Sequence, residues 1–261
     1  MTSNIGSISG VVLDVDGVLW TKGSPTSGAF QFLENLRRCR IPFCLLTNDC
    51  SVSKAQRYQS MVEAGFMIQA EQLVTAPQLT GEWLRNIGAN TIMYLGATTA
   101  ISDIPVDLTI QKIGPVDAVV VGDLFSSYDR HSLNRAANAV SSGAALVAMQ
   151  RNPCWSDGSE WHIDNGFWIA GLEYVTGREA VVIGKPSPFA YQGAVNRLLL
   201  SPQSKGSIAF VSDDVLSDLS GAKDFGLLTI YFGKEVELPS WVDHMAHDMN
   251  ELSRLVCGVV Q

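Results

Sequence analysis

The sequence predicts an α/β fold with a mainly parallel β-sheet. The alternation of strand and helix patterns gives the class, and the composition and the absence of repeats exclude a disordered chain and a solenoid. Short apolar runs alternate along the chain with stretches whose apolar residues recur at helical spacing. Apolar residues make up 46% of the 261 positions and charged residues 17%, which is enough apolar material for a packed core. The chain contains no repeat of 20–50 residues, the pattern that would indicate a solenoid. A chain of this length fits one large domain or two smaller ones.

The individual elements follow from the same patterns. Strands are predicted where apolar residues run together, at 11–13, 41–46, 91–95, 117–121, 145–149, 180–183, 207–211 and 228–232. Helices are predicted over 28–40, 78–88, 128–142, 166–176, 188–200 and 216–225, with another that ends near Gly65. Ser27 is the expected N-cap of the first helix, and either Ser51 or Ser53 caps the helix that ends at Gly65. Because strands and helices alternate, the strands are expected to pair in parallel.

Charge and hydropathy exclude several kinds of partner. The chain carries 18 Lys and Arg residues against 26 Asp and Glu residues, a net charge of −8, without a basic cluster. Nucleic acids and anionic membrane surfaces both require such a cluster, so neither is an expected partner. No stretch offers the ~20 predominantly apolar residues that cross a bilayer. An acidic protein binds an anionic substrate through a local positive centre, such as a metal ion or a placed lysine.

The cysteines favour a reducing compartment. The chain has five cysteines, an odd number, and no two of them form a C-x-x-C pair. They are Cys39, Cys44, Cys50, Cys154 and Cys257. This pattern does not fit a disulfide framework or a structural zinc site. The N-terminus lacks the basic and apolar regions of a signal peptide. We therefore expect a cytoplasmic protein.

The strongest chemical feature follows the first predicted strand, as Asp14-Val15-Asp16-Gly17. Ligands of open α/β sheets bind beyond the carboxyl ends of strands. Two carboxylates two positions apart leave an extended chain on the same side, and they repel each other unless a cation or a proton lies between them. Gly17 permits a sharp turn after them. Taken alone, the motif is equally typical of a solvated turn.

Two further motifs place polar groups after later strands. Thr47 and Asn48 end the second predicted strand, where a hydroxyl and an amide suit phosphate oxygens but are also typical of a helix N-cap. Lys185 stands in a Gly-Lys-Pro sequence between a strand and a helix. It is not a Walker A lysine, because Pro186 follows it. A lysine in such a loop is ordinarily solvated.

The fourth motif is acidic and follows the strand predicted at 207–211. Asp213, Asp214 and Asp218 bring three carboxylates within six residues. Hard oxygen ligands of this kind suit Mg²⁺, which binds through one or two carboxylates and keeps several waters. Acidic N-capping of the following helix is the competing interpretation.

The order of the four motifs, each at the carboxyl end of a strand, resembles the haloacid dehalogenase (HAD) superfamily of phosphohydrolases. The segment from Asp14 to Thr47 is too short to contain a large insertion. The segment from Thr47 to Lys185 is much longer than one strand–helix–strand connection requires. That excess is similar to the C2-type α/β cap domain of the NagD-like, 4-nitrophenylphosphatase-like branch. The pair Asp213-Asp214 brings the chain close to the HAD-like hydrolase domain-containing proteins and the phospholysine/phosphohistidine/pyrophosphate phosphatases.

The resemblance implies a domain organisation. A Rossmann-like catalytic core would come from residues 1–78 and 180–261, and a smaller inserted cap domain from 79–179 would select the substrate. The implied partners are a small phosphorylated substrate and a second copy of the chain in a homodimer.

The resemblance also implies catalytic roles. Asp14 would be the nucleophile that forms an aspartyl-phosphate, and Asp16 the general acid and base. Thr47 and the backbone of Asn48 would bind phosphoryl oxygens. Lys185 would bind the substrate phosphate and supply positive charge, as phosphoryl transfer requires.

A magnesium ion is the implied cofactor. The Asp14 carboxylate, the Asp16 backbone carbonyl and Asp213 would hold it, with Asp214 and Asp218 in support. The expected function is therefore a Mg²⁺-dependent phosphatase that acts on small phosphate monoesters.

Two positions depart from the family pattern. Ser212 stands where the family usually has glycine, and Asp49 stands where many members carry asparagine. Asp49 is expected to add negative charge beside the phosphate site. The alternative functions are a non-catalytic protein that retains the fold and a phospho-acceptor protein of the receiver type. Receivers have about half this length and lack the second aspartate two positions after the first.

Overall fold

The computed structural model of the chain forms two compact units. It describes residues 8–105, 107–123, 129–156, 159–199, 206–234 and 237–258. The first unit contains Met1–Thr47, Tyr58–Val74 and Lys185–Gln261, and the second contains Asn48–Arg57 and Thr75–Gly184. The terminal residues 1–7 and 259–261 of the predicted core lie outside the described residues. That residues 79–179 act as a cap domain stays a prediction.

The strands are short, as is usual for α/β proteins. In chain order they are β1 (Gly10–Asp14), β2 (Trp20–Thr21), β3 (Ser24–Pro25), β4 (Phe43–Thr47), β5 (Leu73–Thr75), β6 (Thr91–Leu95), β7 (Thr109–Ile110), β8 (Ala118–Val121), β9 (Ala145–Ala148), β10 (Cys154–Ser156), β11 (Trp161–Ile163), β12 (Val181–Val182), β13 (Ile208–Ser212), β14 (Leu228–Phe232) and β15 (His244–Ala246).

Eight α-helices lie within the described residues. They are α1 (Ala29–Arg38), α2 (Lys54–Glu63), α3 (Ala76–Asn86), α4 (Arg130–Ser141), α5 (Asn165–Thr176), α6 (Pro188–Arg197), α7 (Ser220–Phe225) and α8 (Met249–Cys257). A π-helical turn over Val215–Leu219 leads into α7. None of these helices combines the length and the apolar character that a membrane crossing needs.

The first unit is built on a six-stranded sheet in the order β15-β14-β13-β1-β4-β5. β1 pairs in parallel with both β13 and β4, so that Val11 lies between Ala209 and Phe43. All residues of β1, β4 and β13 are buried. Their continuous apolar sequences are typical of parallel strands that are covered on both faces. The α/β class is thus confirmed, and β1 delivers Asp14 near the middle of the sheet.

The second unit has its own parallel sheet, in the order β12-β9-β8-β6-β7. Its strands pack with the apolar sides of α4 and α5 through residues such as Val119, Val140 and Ile169. β10 and β11 form an antiparallel hairpin just before α5. This unit therefore has a separate hydrophobic core.

The predicted element bounds agree closely with the structure in most places. The strands predicted at 91–95 and 228–232 have those bounds. Residues 128 and 200, at the ends of two predicted helices, lie outside the described residues. The N-cap prediction for Ser27 was wrong, because Gly28 holds that position without a side-chain hydrogen bond. Ser53 is the residue that caps α2, since its hydroxyl accepts a hydrogen bond from the Gln56 backbone N–H at 3.2 Å.

Candidate active site

A buried ion cluster lies at the carboxyl end of β1. The ammonium group of Lys185 donates hydrogen bonds to Asp14 Oδ1 and to Asp218 Oδ2, each at 2.6 Å. The side chains of all three residues are at most 8% exposed. Burying charges is costly unless they are paired, so two carboxylates around a single ammonium group form an unusual arrangement.

The cluster shifts the protonation equilibria of its members. Burial raises the pKa of Asp14 well above its ordinary value, against the opposing charge of Lys185. The nearby carboxylates of Asp218 and Asp213 raise the pKa of Asp14 further. Burial by itself would lower the pKa of Lys185, but the charges of Asp14 and Asp218 raise it above its ordinary value. These shifts favour the charged form of Lys185, around which the carboxyl groups outnumber the ammonium group.

Ser212 links the two buried carboxylates. Its hydroxyl lies 3.2 Å from Asp14 Oδ2 and 3.0 Å from Asp218 Oδ2. The same hydroxyl oxygen accepts a hydrogen bond from the Asp214 backbone N–H at 3.2 Å. Sequence reasoning identified Ser212 only as a departure from the family pattern. The structure shows that the hydroxyl is fully buried and hydrogen-bonded, so it replaces glycine without leaving a polar atom unsatisfied.

Asp213 lies against the loop that follows β1. A Cβ atom on Gly17 would stand 2.2 Å from Asp213 Oδ2, and Gly17 has a φ of +91°. Only glycine provides both this backbone conformation and this space. Burial of the carboxyl group raises the pKa of Asp213 to about 6, and the charges of Asp218 and Asp214 add to the rise.

Asp16 lies beyond the end of β1 rather than within it. β1 ends at Asp14, and Asp16 is solvent-exposed in the following turn, where it forms an isolated bridge with Trp20. The hydroxyl of Thr47 donates to Asp16 Oδ2 at 3.1 Å. The structure therefore brings Thr47, from the end of β4, to the carboxylate predicted to act as the general acid and base.

Asn48 and Asp49 belong to the second unit. A Cβ atom on Gly184 would stand 2.5 Å from Asn48 Oδ1, so Gly184 leaves space for that amide. Asp49 Oδ2 pairs with Arg57 at 2.5 Å, and its Oδ1 accepts both the backbone N–H and the hydroxyl of Ser51. The negative charge that the sequence suggested at Asp49 is therefore compensated within this unit.

The remaining two acidic residues have structural partners. Asp214 Oδ1 accepts the backbone N–H of Ser217 at 2.9 Å, which caps the helical turn that follows. Asp218 is buried, and its backbone carbonyl accepts the hydroxyl of Tyr191 at 2.7 Å. Tyr191 was not predicted from the sequence, since a tyrosine within an apolar helix gives no sign of this contact.

The oxygen atoms of the side chains at this site suit a hard divalent cation. Asp14 and Asp213 offer carboxylate oxygens, and the glycine at position 17 keeps the space beside Asp213 open. Within the described residues, no three Asp, Glu, His or Cys side chains are grouped closely enough to hold a metal ion. A cation at this place would thus need a further ligand, and the Asp16 backbone carbonyl, which the resemblance implies, is of the required type.

Two family models match the chain. Residues 11–104 match the model described as haloacid dehalogenase-like hydrolase, and residues 182–253 match the HAD-hydrolase-like model. Both matched segments contain residues of the ion cluster: Asp14 lies in the first, and Lys185 and Asp218 lie in the second.

Curated proteins and a solved structure are similar over nearly the whole chain. The ribonucleotide monophosphatase NagD of Escherichia coli K12 is 28% identical over 225 residues, covering 86% of this chain and 87% of its own. The human phospholysine phosphohistidine inorganic pyrophosphate phosphatase is 25% identical and covers 95% of both chains. A glycerol phosphate phosphatase from Mycobacterium tuberculosis, solved with magnesium, has a TM-score of 0.82 at 25% identity, covering 95% of this chain and 79% of its own.

Proposed function

From the premise that this chain belongs to the haloacid dehalogenase-like hydrolases, we propose that it is a magnesium-dependent phosphatase that hydrolyses small phosphate monoesters. The observation that carries the proposal is the buried contact of Lys185 with Asp14 and Asp218 at the carboxyl end of β1. Charges buried at a strand end with shifted pKa values are typical of catalytic sites. The phosphatases to which the chain is similar support the same class of reaction.

Asp14 is the proposed nucleophile. In the first step, one of its carboxylate oxygens attacks phosphorus while the ester P–O bond breaks, which leaves an aspartyl-phosphate. Asp16 donates a proton to the departing oxygen. In the second step, Asp16 takes a proton from water, whose oxygen attacks the same phosphorus and releases phosphate with the regenerated Asp14 carboxylate. Two in-line displacements at one site thus complete the hydrolysis.

The surroundings of each group suit these roles. Asp14 is fixed by Lys185 and by the Val15 backbone N–H, which donates to Asp14 Oδ1 at 2.8 Å. A fixed carboxylate approaches phosphorus without first losing conformational freedom. Asp16 is exposed and is oriented by Thr47, so it is open to a leaving group and to water. General acid–base help of this kind is worth roughly 10²–10⁴-fold in rate.

The proposed ligands of the magnesium ion are the Asp14 carboxylate, the Asp16 backbone carbonyl and Asp213. When bound, the ion offsets the negative charge of the transferring phosphoryl group and of the carboxylates around it. Asp218 supports the site by holding Lys185, and Asp214 supports it by capping the turn that positions Asp213 and Asp218.

Thr47, Asn48 and Lys185 are the proposed phosphate-binding groups. Residues 79–179 are the proposed cap domain that selects the organic part of the substrate. We further propose that the protein is cytoplasmic, which suits its five free cysteines, and that it forms a homodimer.

The test is the release of phosphate from 4-nitrophenyl phosphate in the presence of Mg²⁺, with Asp14→Asn as the control. That substitution keeps the shape of the side chain and removes the nucleophilic oxygen. We expect turnover by the wild type and none by the variant. Release no faster than the control would exclude the enzyme and favour a non-catalytic protein. Incorporation of a single phosphate without turnover would favour a phospho-acceptor. A panel of phosphate esters then identifies the preferred substrate.

A further inference from the structure

Helices α1 and α8 pack together in the first unit, and their contacts show how their turns align. A Cβ atom on Gly28, the N-cap of α1, would stand 2.9 Å from the Cβ of Met249, the first residue of α8. About two turns further along α1, the amide of Asn35 donates a hydrogen bond at 3.2 Å to the hydroxyl of Ser253, and both side chains are buried. The contacts advance toward the C-termini of both helices, so α1 and α8 run in parallel.

The next turn of each helix ends in a cysteine. Cys39 stands four positions after Asn35, and Cys257 stands four positions after Ser253, so each cysteine lies on the contacting side of its helix. Cys39 is the C-cap of α1, and Cys257 is the last residue of α8. The thiols of the two cysteines form a hydrogen bond with each other. Local sequence does not indicate this contact, because the two positions lie near opposite ends of the chain.

Cys39 is open to reagents in solution. Its side chain is exposed, and it is flanked by the exposed residues Arg38 and Arg40. Two positive charges attract an anionic reagent to their neighbourhood. Because attack on a disulfide requires an accessible thiol, Cys39 is the member of the pair that reacts first.

Cys257 is suited to the second step. It is half-buried and packs against the apolar core of the first unit. Burial raises the pKa of Cys257 to about 12, and the hydrogen bond with Cys39 contributes to the rise. The Cys257 thiol therefore keeps its proton while Cys39 is reduced, and it lies beside the sulfur atom that it would attack.

We propose that Cys39 and Cys257 form a reversible disulfide bond, with a low-molecular-weight disulfide such as glutathione disulfide as the oxidant. The Cys39 thiolate attacks one sulfur of that molecule, whose S–S bond breaks, so that one glutathione leaves and Cys39 carries the other. Cys257 then loses its proton and attacks the Cys39 sulfur, which releases the second glutathione. Two protein thiols are oxidised, and one small disulfide is reduced to two thiols that take up the two protons. An excess of reduced glutathione reverses both steps.

The bond lies at the opposite edge of the sheet from the candidate active site. Helix α1 leads into the amino end of β4, where the Val11 backbone N–H donates to the Pro42 carbonyl oxygen at 3.0 Å. The ion cluster lies at the carboxyl end of β1 instead. The disulfide would therefore leave the phosphate site open and would tie the C-terminal helix to the first helix. A crosslink that closes so long a loop stabilises a protein mainly by restricting its unfolded chain.

The test is thiol mapping of the full chain after equilibration with mixtures of reduced and oxidised glutathione. Free thiols are blocked with N-ethylmaleimide, and disulfide-linked peptides are identified by mass spectrometry. We expect a link between Cys39 and Cys257 in the wild type, which dithiothreitol removes. In Cys257→Ser the reaction should stop after the first step, so that Cys39 carries glutathione at least ~10-fold more often than in the wild type. The matched control is Cys154→Ser, which removes an exposed cysteine of the second unit and should leave the link intact.

Stability gives a second measurement. The oxidised wild type should unfold at a thermal midpoint at least ~5 °C above that of the reduced protein. This difference should be absent in Cys39→Ser, which changes an exposed side chain. Phosphate release should be the same in both forms of the wild type, because the bond lies away from the ion cluster.

Two results would overturn the inference. One is a wild type without the Cys39–Cys257 link, in which Cys39 carries glutathione as often as in Cys257→Ser. The other is an oxidised wild type that unfolds at the same temperature as the reduced protein. If Cys257→Ser does not fold by circular dichroism, Cys257→Ala replaces it, because this position packs against apolar residues. The inference does not depend on the proposed phosphatase activity, since an inactive wild type would leave the thiol map unchanged.

Discussion

Replacing Lys185 by methionine should destabilise the first unit more than any ordinary surface change. Methionine has a similar length but leaves Asp14 and Asp218 buried without the cation that lies 2.6 Å from each. Removing one partner of a buried ion pair costs about 3–5 kcal/mol, because the remaining charge stays uncompensated. We therefore expect Lys185→Met to lower the free energy of unfolding by about that amount.

The measurement is urea denaturation at pH 7 followed by circular dichroism, without added metal. The matched control is Lys223→Met, since Lys223 also pairs with an aspartate, Asp243, at 2.7 Å but is 39% exposed. A solvent-exposed pair of this kind contributes up to about 1 kcal/mol. Equal losses in the two variants would refute the argument that burial makes the Lys185 cluster special.

A double substitution makes the same test more specific. Adding Asp218→Asn to Lys185→Met removes one of the two uncompensated carboxylates. We expect the double variant to be more stable than Lys185→Met alone, because groups in one network are not additive. A double variant that loses the sum of the two single effects would show that the charges are not coupled.

Three other outcomes follow from the site and the fold. Gly17→Ala should reduce phosphate release at least ~10-fold, equivalent to ~1.4 kcal/mol, because its Cβ meets the Asp213 carboxylate at 2.2 Å. Gly23→Ala, with a φ of +75° but nothing within 4 Å, should retain activity, and equal losses would contradict the steric argument. Removal of divalent cations with EDTA should abolish phosphate release and Mg²⁺ should restore it, so undiminished turnover in EDTA would refute the metal requirement. Partial burial raises the pKa of Asp243, but the hydrogen bonds from Lys223 and Thr229 and the charge of Lys223 together outweigh burial and keep that pKa below its ordinary value. The ionised Asp243 carboxylate therefore stabilises the fold at pH values above its unfolded-state pKa of ~3.9. This contribution is lost as the pH falls through the pKa of Asp243 in the folded state. The difference in unfolding free energy between wild type and Asp243→Asn should therefore shrink below about pH 4, and a constant difference from pH 7 to 3 would contradict this.

Local sequence predicted the central strands well and the C-terminal elements poorly. Strand β14 has five residues with a strong apolar pattern, and its bounds were predicted correctly. Strand β15 has three residues, and helix α8 after it was also missed. An edge strand this short has no pattern of its own, and it forms because β14 offers its free edge for pairing. The cap of α8 by Asp248, whose carboxylate accepts two backbone N–H groups, was a readable signal.

The sequence by itself determined the α/β class and the order of four polar motifs at strand ends. These are local properties, since apolar runs and turn residues act over a few positions. Only the tertiary structure decided what each polar side chain contacts. It paired Lys185 with an aspartate 171 positions away, turned Asp218 toward that lysine, and placed the hydroxyl of Ser212 between two carboxylates. A charged side chain in a loop is solvated or buried according to which distant segments close around it, and that burial determines its pKa and its chemistry.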